Sequence, residues 1–324
     1  IGQSALGANT TASDNTAVGR SALKVNTTGT QNIAIGAYAL EDNTTGTNNA
    51  ALGYQSLLSN TSGASNTAIG RQSLKLNTTG ANNVAVGKNS LPNSTTASDN
   101  TAVGTDSLNQ NTTGGDNVAV GKDSLKVNTT GSSNNAFGKS ALTACTTGTN
   151  NNAFGKRAAA AVTTSAFNNA FGQEALESTT VGGSNNAFGY NALTNNTTGS
   201  NSCAFGYEAL KENNSSDNNA FGVLALKENT GANNSAFGAY SLRQNTAGGG
   251  NTAVGNYALN ANTTASNNTA VGYYALDSNT TGASNTSVGT SALQSNTTAD
   301  NNTAVGFQAL VINTTGASNT AEIR

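Results

Sequence analysis

The sequence predicts an all-β fold, a parallel β-solenoid (β-roll) of 19 coils. Three observations carry the prediction: a strict 17-residue period, an apolar phrase closed by glycine in every period, and charges confined to a few fixed positions. A fixed period of this length is the signature of a repeat architecture, in which each unit buries its apolar face only by stacking on its neighbours. The phrase NTAVG at Asn15 to Gly19 returns as NIAIG ending at Gly36, NAALG at Gly53, NTAIG at Gly70 and NVAVG at Gly87. With position 1 set at the Ile, Val, Leu or Phe before the glycine, units start at residues 1, 18, 35 and onward by 17, except for two 16-residue units starting at 205 and 221. Nineteen units account for residues 1–321, and Glu322, Ile323 and Arg324 form a tail beyond the last full unit.

Each position has its own rule. Glycine fills position 2, as at Gly19, and leucine fills position 6, as at Leu23, with Ala159 the exception. Position 5 is Ala or Ser, and position 17 is Ala except for Ser287. Asn26 opens the NTTG segment and Asn32 precedes the apolar phrase, and their counterparts recur along the chain. Every charged residue before the tail falls at positions 3, 4, 7, 8, 13 or 14, and all tyrosines fall at 3 or 4, so these are read as the wet positions. Asn, Thr and Gly are poor helix formers, and glycine interrupts every apolar segment, so a helical period is excluded. Short apolar runs between Asn/Thr/Gly turns read as strands, one at NTAVG and a second around Ser21-Ala22-Leu23. With strands about 4.8 Å apart, nineteen coils make a rod on the order of 90 Å long.

Within the phrase, side chains alternate, so positions 16 and 1 share one face and positions 17 and 2 the other. The second face is small, which suits a narrow interior. The first is bulkier and changes in concert: Thr16 accompanies Val18, but Asn135 accompanies Phe137. From Phe137 through Phe154, Phe171, Phe188, Phe205 and Phe221 to Phe237, position 1 is phenylalanine, and position 16 becomes Asn, Cys or Ser. A few small apolar side chains per coil do not offset the ordering of 17 residues, so axial hydrogen bonds and asparagine stacking must contribute. A strand apolar on both faces needs a cover on each. One face is expected to line the coil and the other to pack on a sister chain. The alternative folds positions 1, 5, 6 and 17 into one interior and needs no partner.

Composition narrows the functional classes. The net charge is −2 with 9% charged residues, and no basic stripe of Lys and Arg is expected, which argues against nucleic acid. No segment approaches the length of an apolar membrane helix in what reads as an excerpt of a longer chain. With no histidine, Ser/His/Asp and Cys/His arrangements are absent, carboxylates form no recurring pair, and zinc or calcium motifs are lacking, so no catalytic, metal or cofactor site is expected. Cys145 and Cys203 lie at different repeat positions, which disfavours a disulfide between them. The Asn-Thr-Thr triplets match glycosylation acceptors, yet they also suit tight turns with stacked amides. Adjacent Thr27 and Thr28 do not alternate as a flat ice-binding strand requires. The outward contact candidates are Tyr190, Tyr207, Tyr257, Tyr273 and Tyr274, each joining apolar area to a polar tip. The stretch AAAAVTTSAF, Ala158 to Phe167, loses both the position 6 leucine and the NTTG turn and reads as a bulge or contact patch.

The Ala-Val-Gly phrase with Asn ahead of it, followed by two variable residues and Ala or Ser, resembles the head repeats of trimeric autotransporter adhesins and related repeats of bacteriophage tail fibres. The resemblance covers residues 1–321. It implies a left-handed roll, a homotrimeric rod, an extracellular location on a cell surface or virion, and binding to a host surface or glycan. The family's head repeats are commonly shorter, and the NTTG segment lengthens them to 17 residues here, which implies a larger outer turn. The expected function is therefore a structural extracellular fibre presenting surface-binding contacts. The alternatives are a monomeric solenoid binding glycan or ice, and a self-assembling filament subunit.

Overall fold

One three-residue strand per coil, at positions 16, 17 and 1, is all the extended structure among the described residues. The computed structural model describes residues 1–322. They fall into two units, Ile1–Phe167 and a second that begins at Asn168. In the first unit nine strands run from β1, Thr16–Val18, to β9, Asn152–Phe154. In the second, ten run from β10, Asn169–Phe171, to β19, Thr320–Glu322. Within each unit consecutive strands pair in parallel and in register, one repeat apart, as Thr16 with Ile33, Ala17 with Ala34 and Val18 with Ile35. The result is a parallel β-solenoid with the predicted period. The 16-residue units keep register too, since Phe205 pairs with Phe221 and Phe221 with Phe237. Glu322 of the expected tail belongs to β19, opposite Val305, so the ladder runs on into the tail. Ile323 and Arg324 lie outside the described residues.

The expected second strand at Ser21-Ala22-Leu23 is replaced by turns. Ser21 and Leu23 have φ of 57° and 50°, the left-handed region, which no strand contains. Ala22 N donates to Gly19 O at 3.3 Å and Asn26 N to Leu23 O at 3.4 Å, closing two successive tight turns. The same conformation recurs at position 14, where Asn48, Asp99 and Asp116 have φ of 60°, 61° and 57°. Asn and Asp tolerate it best, which accounts for their preference at that position. Leucine does not, and its strain is offset by bonds along the stack: Leu23 N donates to Ala39 O at 3.1 Å while Ser21 N donates back to Gln3 O at 2.9 Å. The left-handed residues Ser21 and Leu23 point their N–H groups to the preceding and the following coil respectively, so turns join the axial ladder as strands do.

The interior is narrow. Ala34, Ala39 and Leu40, at positions 17, 5 and 6, are fully buried, as are their counterparts in later coils up to the last, where Leu310 and Ala321 are half-buried. Asn26 and Asn32 are fully buried as well, so the NTTG asparagine forms part of the core. In each regular coil both amides converge on one carbonyl: Gly46 O accepts from Asn43 Nδ2 at 3.0 Å and from Asn32 Nδ2 at 2.9 Å. Both also run as ladders, with Asn43 Nδ2 donating to Asn26 Oδ1 at 2.8 Å and Asn49 N to Asn32 Oδ1 at 3.0 Å. Buried amides must be paired, and stacking identical residues one repeat apart pairs them. Where the sequence changes, pairing fails: Ser94 leaves Asn77 Oδ1 without a partner, and Cys145 leaves Asn128 Oδ1 without one. In the folded chain such asparagines serve the turn, each amide being fully buried and doubly hydrogen-bonded.

Position 1 lies outside, so the alternative that gathered positions 1, 5, 6 and 17 into one interior is overturned. Its φ-extended strand alternates, and alanine at 17 already occupies the inner face. The stretch from Ala158 to Phe167 is not a bulge. Ala158, Ala159 and Val162 are fully buried in the places of Ala, Leu and Asn, and Ala144 N still donates to Ala160 O at 3.1 Å.

Both cysteines are free. Cys145 is closed inside its coil, where burial pushes the thiol up to about 11 from 9.0. Cys203 is half-buried on the outward face. In native protein, alkylation at pH 8 should therefore modify Cys203 and spare Cys145, with both thiols counted only after denaturation; equal labelling rates in the native state would refute the burial. A thiol raised on folding contributes fully below pH 9 and loses about 1.4 kcal/mol per pH unit between 9 and 11.

Candidate functional site: the outward strip and its flanking columns

On the outer face of the strands, positions 16 and 1 form an apolar strip. In the first unit Val18, Ile33, Ile35 and Ile69 are 39%, 43%, 41% and 40% exposed, whereas the strand alanines beside them, Ala17, Ala34 and Ala68, are 7%, 0% and 0% exposed. The strip continues through Leu52, Val86, Val103 and Val120, half-buried by their own axial neighbours. Phe137 and Phe154 end it in this unit, stacked with ring centroids 4.7 Å apart. In the second unit Phe171, Phe188, Phe205, Phe221 and Phe237 stack at 4.7, 4.4, 4.9 and 4.9 Å. Their spacing is that of the coils, so each ring covers the next face and turns its edge outward. Beside the rings position 16 carries amides, with Asn169 Nδ2 donating to Asn186 Oδ1 at 2.7 Å. Asn186 Nδ2 in turn meets Cys203 Sγ at 3.6 Å. The concerted Asn-with-Phe change is thus an amide ladder beside a phenyl ladder.

The tyrosines lie beyond position 2, at the edge of this strip. Tyr190 and Tyr207, 42% and 49% exposed, stack at 5.6 Å. Tyr257 and Tyr274 are half-buried in a stack with Tyr240, at 4.8 and 4.9 Å between neighbours, and Tyr273 is exposed against the edge of Tyr274 at 4.2 Å. A hydrogen bond with Tyr273 pushes the Tyr274 hydroxyl up to about 12. The five predicted contact residues thus form two separate clusters, and sequence reading missed Tyr240, which shares position 4 with Tyr257 and Tyr274. Position 4 is not uniformly wet: Glu208 is 8% exposed. Burial would raise its carboxyl, but Lys211 at 3.0 Å and Lys227 at 3.2 Å outweigh it and hold it below the usual range.

Position 3 carries a feature that the linear sequence hides. Arg71, Lys88, Lys122, Lys139 and Lys156 occupy this position in five of six successive coils, interrupted by Thr105, and all are exposed. The cations are 17 or 34 residues apart in sequence, so no basic run shows, yet folding sets them in one column. The expectation that no basic stripe exists is corrected by this stacking. Lys122 lies 3.9 Å from Asp123, which is bonded to Lys126 at 2.8 Å. The other four make no ion pair among the described residues.

Among the described residues no group of three or more His, Cys, Asp or Glu is placed to hold a metal ion, and no helix is long and apolar enough to cross a membrane. Fold and surface together define the chain as a repeat protein of the parallel β-solenoid class. Compared with known proteins, it matches no family and has no significant match among curated sequences.

Proposed function

We propose that this chain is a structural, non-enzymatic component of an extracellular fibre, a homotrimer that presents surface-binding contacts at a cell surface or on a virion. The resemblance to adhesin head and tail-fibre repeats supports the reading. The observation that carries it is the outward strip. A sheet face of Val, Ile and Phe is left half-buried in coil after coil and about two-fifths exposed at Val18, Ile35, Ile69, Phe205 and Phe237, a continuous strip rather than scattered residues, and an apolar sheet face calls for a cover. Copies of the same chain supply one with matching periodicity, since every coil then meets a coil. Weak contacts repeated along such an assembly act together, which suits adhesion.

Sedimentation equilibrium tests the assembly. The expected mass is three times the 32.2 kDa of one chain, independent of concentration. A mass of one chain would favour the monomeric glycan- or ice-binding solenoid, and a mass that grows with concentration a filament subunit.

A further inference from the structure

We propose that the column of cations at position 3 in the first unit binds a linear acidic polysaccharide with one carboxylate per sugar. Arg71, Lys88, Lys122, Lys139 and Lys156 project from successive coils whose backbones are tied axially, as Asn89 N to Arg71 O at 3.0 Å and Ser140 N to Lys122 O at 2.9 Å. Their spacing is therefore fixed by the sheet at about 4.8 Å per coil, and the column extends for about 24 Å. A pyranose ring advances a polysaccharide by nearly the same distance, so a polyuronate laid along the column meets a cation at almost every sugar.

The surroundings favour a sugar polymer over single-stranded nucleic acid. Beside the column position 4 offers Gln72, Asn89, Asp106, Asp123 and Ser140, which are hydrogen-bonding groups for sugar hydroxyls. No aromatic side chain stands at positions 3 or 4 between Arg71 and Lys156, so the stacking platform that holds unpaired bases is missing. Asp106 and Asp123 repel either polyanion, but their carboxylates also accept from the hydroxyls that a sugar polymer carries and a DNA backbone lacks. In the second unit position 3 carries Gln173, Tyr190, Tyr207, Val223 and Ala239, so the basic column is confined to the first unit.

This assigns a ligand class to the surface-binding role and is independent of the trimer. The test is fluorescence anisotropy with labelled polygalacturonate, and with dextran and poly(dT) for comparison, in low salt and across a salt titration. Polygalacturonate is expected to bind, to weaken steadily with salt by counterion release, and to outcompete poly(dT), while dextran stays free. Replacing all five cations by glutamine, each an exposed side chain, should lower affinity at least about tenfold with circular dichroism unchanged. The pair Lys88→Gln and Lys139→Gln should weaken binding more than the charge-matched pair Arg20→Gln and Lys24→Gln. The proposal is overturned by absence of polygalacturonate binding at low salt, by equal effects of the two pairs, or by tighter binding of poly(dT). A binding-deficient variant of wild-type mass leaves the trimer standing, and a monomer that binds leaves the column standing.

Discussion

Gly104→Ala should destabilise the first unit by about 2–6 kcal/mol, the combined scale of a forbidden backbone conformation and a backbone overlap. Gly104 has φ of 132°, which L-residues rarely adopt. A Cβ there would meet Gly121 O at 2.6 Å and Gly121 C at 2.7 Å, both backbone atoms of the next coil. Those atoms have little freedom to retreat, because Gly121 N is held by Val103 O at 2.8 Å. The comparison is Gly115→Ala in the same unit, whose added Cβ would have only Ser98 O within 4 Å, at 3.2 Å. That change should cost less than about 1 kcal/mol. Urea unfolding followed by far-ultraviolet circular dichroism measures both, and equal losses would show that the close axial approach at position 2 is not what demands glycine. In a stack whose coils touch only their neighbours, the damaged interface should also separate the transition into two steps.

The second large effect belongs to the buried amides. Asn117→Ala removes the acceptor of Asn134 N, bonded to Asn117 Oδ1 at 3.0 Å, and leaves that N–H buried with no partner. It also removes the donor to Gly131 O at 2.9 Å, although Asn128 Nδ2 still serves that carbonyl at 2.9 Å. An orphaned donor and a small cavity together cost about 2–4 kcal/mol. The converse change tests the same ladder with opposite sign. Ser94→Asn supplies a donor to the unpartnered Asn77 Oδ1 and should add about 1 kcal/mol. If Asn117→Ala proved neutral while amide exchange at Asn134 stayed slow, the asparagine ladder would be incidental to the fold.

Much of this architecture is legible in the sequence because every buried position is repeated. Ala at 17, Leu at 6 and Asn at 9 and 15 each recur against their own kind, and full burial of Leu40, Asn26 and Asn32 follows from that uniformity. Variation was equally informative, as positions 3, 4, 7 and 8, exposed or half-buried in most coils, are where residue types drift. The second strand was misread because Ser-Ala-Leu has no feature that distinguishes an extended segment from a left-handed turn. Leucine is an unfavourable residue at φ of 50°, and only the axial hydrogen bond of Leu23 N to Ala39 O makes it tenable. The candidate surface was less legible. Tyr257 and Tyr274 share position 4 and stack, which periodicity allows one to anticipate, whereas the near burial of Glu208 depends on two lysines from neighbouring positions that its own type does not foretell.

By itself, then, the sequence determined the period, the parallel stack and the residues that fill its interior, because contacts between identical positions of successive coils are written directly into a 17-residue repeat. Only the tertiary structure decided that each coil holds one strand, that position 1 faces outward, and that Arg71, Lys88, Lys122, Lys139 and Lys156 stand in line. The physical reason is the sign of φ at positions 4, 6 and 14. It sets where each side chain points and which N–H groups run along the stack, and hydrogen bonds between coils fix it where residue type alone does not.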